Sequence, residues 1–296
     1  MRAPAKVNLH LSVGPARPDG FHELTTVFQA VGLYDDVTLT RADELTVTVE
    51  GQDADLVPLD DTNLAARAVS MLAVQTGNDA RVAIHIRKGI PVAGGCAGGS
   101  ADAAAALVGC DALWGAEWTR DQLADVGALL GSDIPFSLHG GTALGTGRGE
   151  QLTPVLELGS FSWVLVLSDE GLSTPAVYGE LDRQREAGPV GVRSDPGDVL
   201  AALRQGDAVA LGRALGNDLQ PGALALKPSL RPLLDSARDL GALGAIVSGS
   251  GPTVAVLARD ATHADALAAA LTSRGACAAV RRADGPVAGA RVMEAR

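Results

Sequence analysis

One run constrains the fold of this chain more than any other: Pro91-Val-Ala-Gly-Gly-Cys-Ala-Gly-Gly-Ser-Ala-Asp-Ala-Ala-Ala-Ala-Leu107, a glycine-rich stretch that passes without interruption into an alanine-rich one. Gly94, Gly95, Gly98 and Gly99 free the backbone to take positive φ and to approach a ligand, and the alanines that follow are strong helix formers. The segment therefore predicts a loop opening a helix, whose first N–H groups lack intrahelical partners and carry partial positive charge. Four glycines and Ser100 within seven residues favour phosphate as the guest over a tight turn that serves helix packing alone. No lysine lies between Pro91 and Leu107, so this is not a P-loop, and a dinucleotide G-x-G-x-x-G cannot be laid on it.

The chain has 296 residues, 47% hydrophobic and 20% charged, enough for about two domains with sizeable cores. Its N-terminus runs straight into an alternating strand pattern without an apolar leader, and no stretch approaches the roughly 18 continuous apolar residues of a membrane span, so a cytoplasmic protein is expected. Cys96, Cys110 and Cys277 form no C-x-x-C pair, and the five histidines lack metal-ligand spacing. A net charge of −11 argues against nucleic-acid or anionic-membrane partners. A small anionic ligand then needs local positive potential from a helix N-terminus, a divalent cation or a placed lysine.

Lysine is scarce: of 24 basic residues only Lys6, Lys88 and Lys227 are lysine. Lys6 lies in an alternating stretch, residues 5–13, with Val7, Leu9, Leu11 and Val13 on one face and Lys6, Asn8, His10 and Ser12 on the other. The strand alone admits two readings, a half-solvated edge with a snorkelling lysine or a polar face lining a cleft. Further along, strands are expected at 25–30, 36–40, 45–49 and 81–86, and helices at 63–75, from the glycine loop to about 114, and at 120–130. Leu107, Cys110 and Trp114 share the face that should pack the loop's helix into the domain. Residues 140–149 hold a G-x-G-x-G but read as a glycine-rich strand and turn. A second α+β domain follows, with a strand at 163–167, a polar segment at 184–198, helices at 198–215 and 229–240, and strands at 245–247 and 253–258. Ser248-Gly-Ser-Gly-Pro-Thr253 between the last two reads as a hairpin turn. Asp133, in Leu130-Gly-Ser-Asp-Ile-Pro135, offers a carboxylate suited to receive a hydroxyl proton, although an aspartate in such a turn is often only a turn former.

Five segments, Ala5-Lys-Val-Asn-Leu9, Asp19-Gly-Phe-His-Glu-Leu24, residues 91–104, Leu130-Gly-Ser-Asp-Ile-Pro135 and Ser248-Gly-Ser-Gly-Pro-Thr253, together resemble the GHMP kinase superfamily of galactose, homoserine, mevalonate and phosphomevalonate kinases. They occur in the family's order over nearly the whole chain. The resemblance is strongest to the branch that phosphorylates a cytidine diphosphate-linked methylerythritol. It implies an α+β, two-domain GHMP kinase fold: a ribosomal-protein-S5-domain-2-like ATP-binding domain at 1–158, a ferredoxin-like domain at 159–296, and the active site in the cleft between them. It also implies ATP and Mg²⁺, a small-molecule substrate, no nucleic acid or membrane partner, and a monomer or homodimer.

Residue by residue, the segment from Pro91, Val92 and Ala93 through Ala101 resembles the ATP-phosphate loop, Asp133 the catalytic aspartate and Lys6 its partner. Asn8 is expected at the substrate. Phe21 matches an aromatic that stacks on cytosine, His22 a residue that hydrogen-bonds the base, and Tyr178, after Thr174 and Pro175, a second stacking aromatic. The chain has nine Phe, Trp and Tyr residues, so two flanking one base is a pointed use of them. Cys96 and Ala97 stand where the family usually has Leu-Gly, and Ala101 where many members have a second serine. Ser100 then stands alone; the residues that serve Mg²⁺ are left open between Ser100 and Asp102, Asp102 having a simpler role beside the helix dipole. The alternatives are another GHMP small-molecule kinase, which the Phe21-His22 loop and Tyr178 argue against, and a non-catalytic nucleotide-binding paralogue, which Lys6 with Asp133 argues against.

Overall fold

A computed structural model describes residues 1–51, 53–168, 170–188, 190, 195–275 and 279–293. Strand β1 (Arg2–Ala16) runs antiparallel to the long β2 (His22–Arg41), which absorbs both strands expected at 25–30 and 36–40. Next come β3 (Thr46–Gly51), helix α1 (Leu64–Thr76), capped by the Asn63 side chain, and β4 (Val82–Lys88). Helix α2 (Gly98–Trp114) follows the glycine loop, then α3 (Arg120–Leu130), opened by a Thr119/Gln122 capping box, and α4 (Ile134–His139). Strands β5 (Thr142–Thr146) and β6 (Gln151–Pro154) extend the same sheet, whose order β3-β4-β2-β1 branches at β2 to take β5 and β6.

The second sheet begins with β7 (Phe161–Leu167). Helices α5 (Thr174–Ala187), α6 (Pro196–Gln205) and α7 (Ala208–Ala214) precede the two-residue β8 (Gly216–Asn217), which pairs parallel with β1 and so joins the first sheet. Then follow α8 (Gln220–Leu226), α9 (Leu230–Asp239), β9 (Gly244–Val247), β10 (Val254–Leu257), α10 (Ala261–Ser273) and β11 (Ala279–Gly285). The sheet is antiparallel with order β11-β7-β10-β9, the spatial order 4-1-3-2 of a ferredoxin-like βαββαβ unit.

Local chemistry explains where expectation and structure part. The helix expected at 198–215 is two, because Gly206 closes α6 at φ 65° and the Asp207 side chain accepts the N–H groups of Val209 and Ala210 to start α7. Helices α4, α5, α8 and α10 and strands β6, β8 and β11 were not expected from the sequence. In α5 only Val177 and Leu181 are buried, too thin a stripe to give a clear 3.6-residue period. Of the polar segment, 184–187 close α5 and 196–198 open α6, while 189 and 191–194 lie outside the described residues, as does Cys277.

Helix α2 is buried on every side, not on one face: residues 101–110 are all inaccessible or nearly so. Alanine allows the close approach this needs, and a Cβ on Gly109 would lie 2.0 Å from Leu39 Cδ1. Along β7, Trp163, Leu165 and Leu167 join the core beneath the first sheet, while Val164 and Val166 join a second core with α9 and α10. The Trp163 indole donates to Gln29 Oε1 at 2.9 Å, a buried polar tie between the two sheets.

Candidate active site

Both faces of β1 are buried, so the half-solvated edge is excluded, and its expected polar face is interrupted. Asn8 pairs with Phe28 and His10 with Val27, leaving Leu9 as an extra residue in the ladder. Upstream of this bulge Lys6 and Asn8 line a cleft of about 910 Å³; downstream the faces exchange, so Leu11 lines it while His10 is buried elsewhere beside Ser12.

The glycine loop is seated on two supports. The N–H of Lys6 donates to the Cys96 carbonyl at 3.2 Å, the N–H of Thr253 to the Gly94 carbonyl at 3.1 Å, and the Ser248 hydroxyl to the Gly95 carbonyl at 3.1 Å. The β9–β10 connection is thus a hairpin turn that also clamps the loop. Gly249 has φ 56°, and a Cβ added there would lie 3.1 Å from Lys6 Nζ and 3.2 Å from Asn8 Oδ1, so the turn leaves no room for a side chain beside them. Ala93, Gly94, Gly95, Ala97, Gly98, Gly99 and Ser100 line the cleft, and the N-terminal turn of α2 opens onto it. Pro91, Val92, Cys96 and Ala101 are absent from that lining; Cys96 and Ala101 turn fully into the core, and burial pushes the Cys96 thiol up, keeping it protonated.

Asp133 caps α4 by position, yet its carboxylate makes no cap bond. It faces the cleft with Oδ2 3.9 Å from Lys6 Nζ, a pairing that sequence spacing could not supply. Lys6 also donates to Asn8 Oδ1 at 2.6 Å; Asn8 Nδ2 donates to Thr26 Oγ1 at 2.9 Å, and Thr26 to the His10 carbonyl at 2.8 Å. This chain of buried hydrogen bonds fixes the amide and aims the ammonium. Asn8 therefore spends both ends of its side chain within the protein, holding Lys6 while still lining the cleft.

At the other end, His22 and Tyr178 pack at 5.0 Å between ring centroids, and Phe21 is half exposed with the Arg148 guanidinium 5.1 Å above its ring. Thr174 and Pro175, in the first turn of α5, line the same cleft, and Thr174 bonds the Ser250 hydroxyl at 2.9 Å. Burial, helped by the Asp133 carboxylate, pushes the Tyr178 phenol up, so it stays neutral. Thr26, Arg148, Asp182 and Ser250 also line the cleft and were missed from sequence. Asp182 carried a signal, since it lies one turn after Tyr178, but only once 174–187 is known to be helical.

Asp102 lies elsewhere. It is buried below the loop, where its Oδ2 accepts from Lys88 Nζ at 2.7 Å, and the same ammonium donates to Asp35 Oδ2 at 2.5 Å. Its contact is a buried cation, which removes it from the candidates for Mg²⁺ in the cleft. No group of three or more His, Cys, Asp or Glu side chains among the described residues forms a metal cage.

Residues 63–141 match the GHMP kinases N terminal domain and residues 199–277 the GHMP kinases C terminal family. A 4-diphosphocytidyl-2-C-methyl-D-erythritol kinase of Streptomyces avermitilis is 58% identical over 293 residues, covering 99% of each chain. One from Salinispora tropica is 55% identical over 294 residues, 99% of this chain and 93% of that one. The fold superposes on the crystal structure of a 4-(cytidine 5'-diphospho)-2C-methyl-D-erythritol kinase with a TM-score of 0.77 at 34% identity, over 96% of this chain and 98% of the other. A homoserine kinase from Cytophaga hutchinsonii, at 17% identity and a TM-score of 0.74 over 98% of this chain and 94% of its own, shares the fold. With two matching domains and relatives alike over nearly their whole length, the chain belongs to the GHMP kinases, in the family of 4-diphosphocytidyl-2-C-methyl-D-erythritol kinases.

Proposed function

We propose that this enzyme transfers the terminal phosphoryl group of ATP to the 2-hydroxyl of 4-diphosphocytidyl-2-C-methyl-D-erythritol, giving the 2-phosphate and ADP, in the non-mevalonate route to isoprenoid precursors. The observation that carries the reading is the meeting of Lys6 and Asp133, 3.9 Å apart, in the cleft onto which the N-terminus of α2 opens.

Phosphoryl transfer asks the protein chiefly for positioning and for charge stabilisation. The loop 93–100 and the first turn of α2 receive the ATP phosphates through backbone N–H groups and the helix dipole. Asp133 takes the proton of the attacking hydroxyl. Lys6, held by Asn8, keeps positive charge beside that carboxylate and the transferred group. Phe21 and Tyr178 stack on the cytosine and His22 hydrogen-bonds it, with Thr174 and Pro175 beside them; these residues set the substrate apart from a bare alcohol. The cleft offers Ser100 and no acidic cage, which fits a Mg²⁺ held mainly by phosphate oxygens and water. When bound, that ion neutralises phosphate charge.

All of the named groups come from one chain, so the site can be carried by a monomer or by each subunit of a homodimer. The acidic balance of −11 supports a small-molecule enzyme that binds no nucleic acid, and no described helix is long and apolar enough to cross a membrane. The test is ADP release from ATP and Mg²⁺ with the cytidine substrate, homoserine or mevalonate in parallel. Release is expected with the first alone; silence with it, or faster release with either of the others, overturns the assignment.

A further inference from the structure

The two ring nitrogens of His22 have different surroundings. Nε2 lies 3.0 Å from Oδ1 and 3.1 Å from Oδ2 of Asp182, while Nδ1 has no hydrogen-bond partner among the described residues. An ionised carboxylate only accepts hydrogen bonds, so the proton of a neutral ring belongs on Nε2 and the lone pair on Nδ1. The ring is nearly buried and packed against Tyr178, which leaves it little freedom to flip. Asp182 comes from α5 and His22 from the start of β2, 160 residues away, so this contact forms only when the two sheets are docked. Both side chains line the cleft, and nothing in the phosphoryl-transfer chemistry uses Asp182.

Resting on the cytidine reading above, we propose that Asp182 is a positioning residue for base selection: it locks His22 as the Nε2–H tautomer, so that Nδ1 is an acceptor for the exocyclic amino group of cytosine. Uracil carries a carbonyl oxygen at that place, and an oxygen lone pair opposite the Nδ1 lone pair is repelled. The preference for cytosine is therefore set by a carboxylate that need not touch the base.

Two readouts test this on the intact protein. Nitrogen-15 NMR of histidine-labelled enzyme at pH 8 is expected to show His22 protonated at Nε2 alone; a ring carrying its proton on Nδ1, or on both nitrogens, overturns the proposal without any variant. Calorimetry with CMP and UMP as probes is expected to give the wild type at least a roughly tenfold preference for CMP, falling to near parity in Asp182→Ala and returning in Asp182→Glu. The KM for ATP serves as the control for folding and is expected to stay put in both variants. Full CMP preference in Asp182→Ala overturns the proposal while leaving cytidine recognition standing. A wild type that binds CMP and UMP alike instead defeats the cytidine reading itself, and this proposal with it.

Discussion

Replacing Gly95 by alanine tests how the phosphate loop is held. Gly95 has φ 78°, and an added Cβ would sit 2.2 Å from the Ser248 carbonyl oxygen and 3.0 Å from both N and O of Gly251. A left-handed conformation costs a non-glycine residue about 1 kcal/mol. The clash adds about 1–3 kcal/mol, because the obstacle is backbone and the loop must retreat by roughly 1 Å. The expected loss is about 2–4 kcal/mol, a large part of the roughly 5–15 kcal/mol that holds a typical protein folded. Gly77 isolates the steric part: it has a similar φ of 68° with nothing within 4 Å, so Gly77→Ala is expected to cost about 1 kcal/mol only. Urea unfolding followed by circular dichroism measures both. Retreat of the loop also disturbs the bonds from Lys6, Ser248 and Thr253, and a misplacement of about 1 Å near the chemistry can cost on the order of 100-fold in rate. Steady-state ADP release should therefore show kcat/KM for ATP falling steeply in Gly95→Ala and unchanged in Gly77→Ala. Equal unfolding midpoints for the two variants, together with an unaltered kcat/KM in both, would refute the reasoning.

Asp133→Asn should lower kcat by about 10²–10⁴ while ATP binding, read by calorimetry, persists; turnover near that of the wild type would remove Asp133 from the role of base. Phe21→Ala should raise KM for the cytidine substrate by about 5–150-fold, given stacking worth about 1–3 kcal/mol per base, with KM for ATP as the internal control, and an unchanged substrate KM would reject the stacking role. Burial, reinforced by the neighbouring Asp35, pushes the Asp102 carboxyl up to about 8 from its ordinary 3.8, so between those values the folded state keeps a proton that the unfolded chain has lost, and stability falls as pH rises through that window. Asp102→Asn has no such proton and should gain on the wild type between pH 5 and 8 in urea titrations; a constant offset between the two would contradict this.

How much was legible before the structure varied with the range of the interaction involved. The glycine run with its alanine helix, the alternation of β1 and strands β7, β9 and β10 of the second sheet all follow from local backbone preference and periodicity, which act over a few residues. The weakly amphipathic α5 was invisible for the same reason, and with it went Asp182. Asp102 stood near the start of α2 as a candidate for metal, and only the arrival of Lys88 from β4 and Asp35 from β2 ties it into a buried hydrogen-bonded cluster.

By itself, then, the sequence determined the family, the anion-binding loop and the identities of the groups that chemistry would need, because short motifs encode turn geometry, helix starts and side-chain type. It could not set Lys6 beside Asp133, place a bulge at Leu9 that turns His10 away, or put Asp182 against His22. Those depend on strand register and on the docking of one sheet against the other, which are decided by packing between residues far apart in the chain.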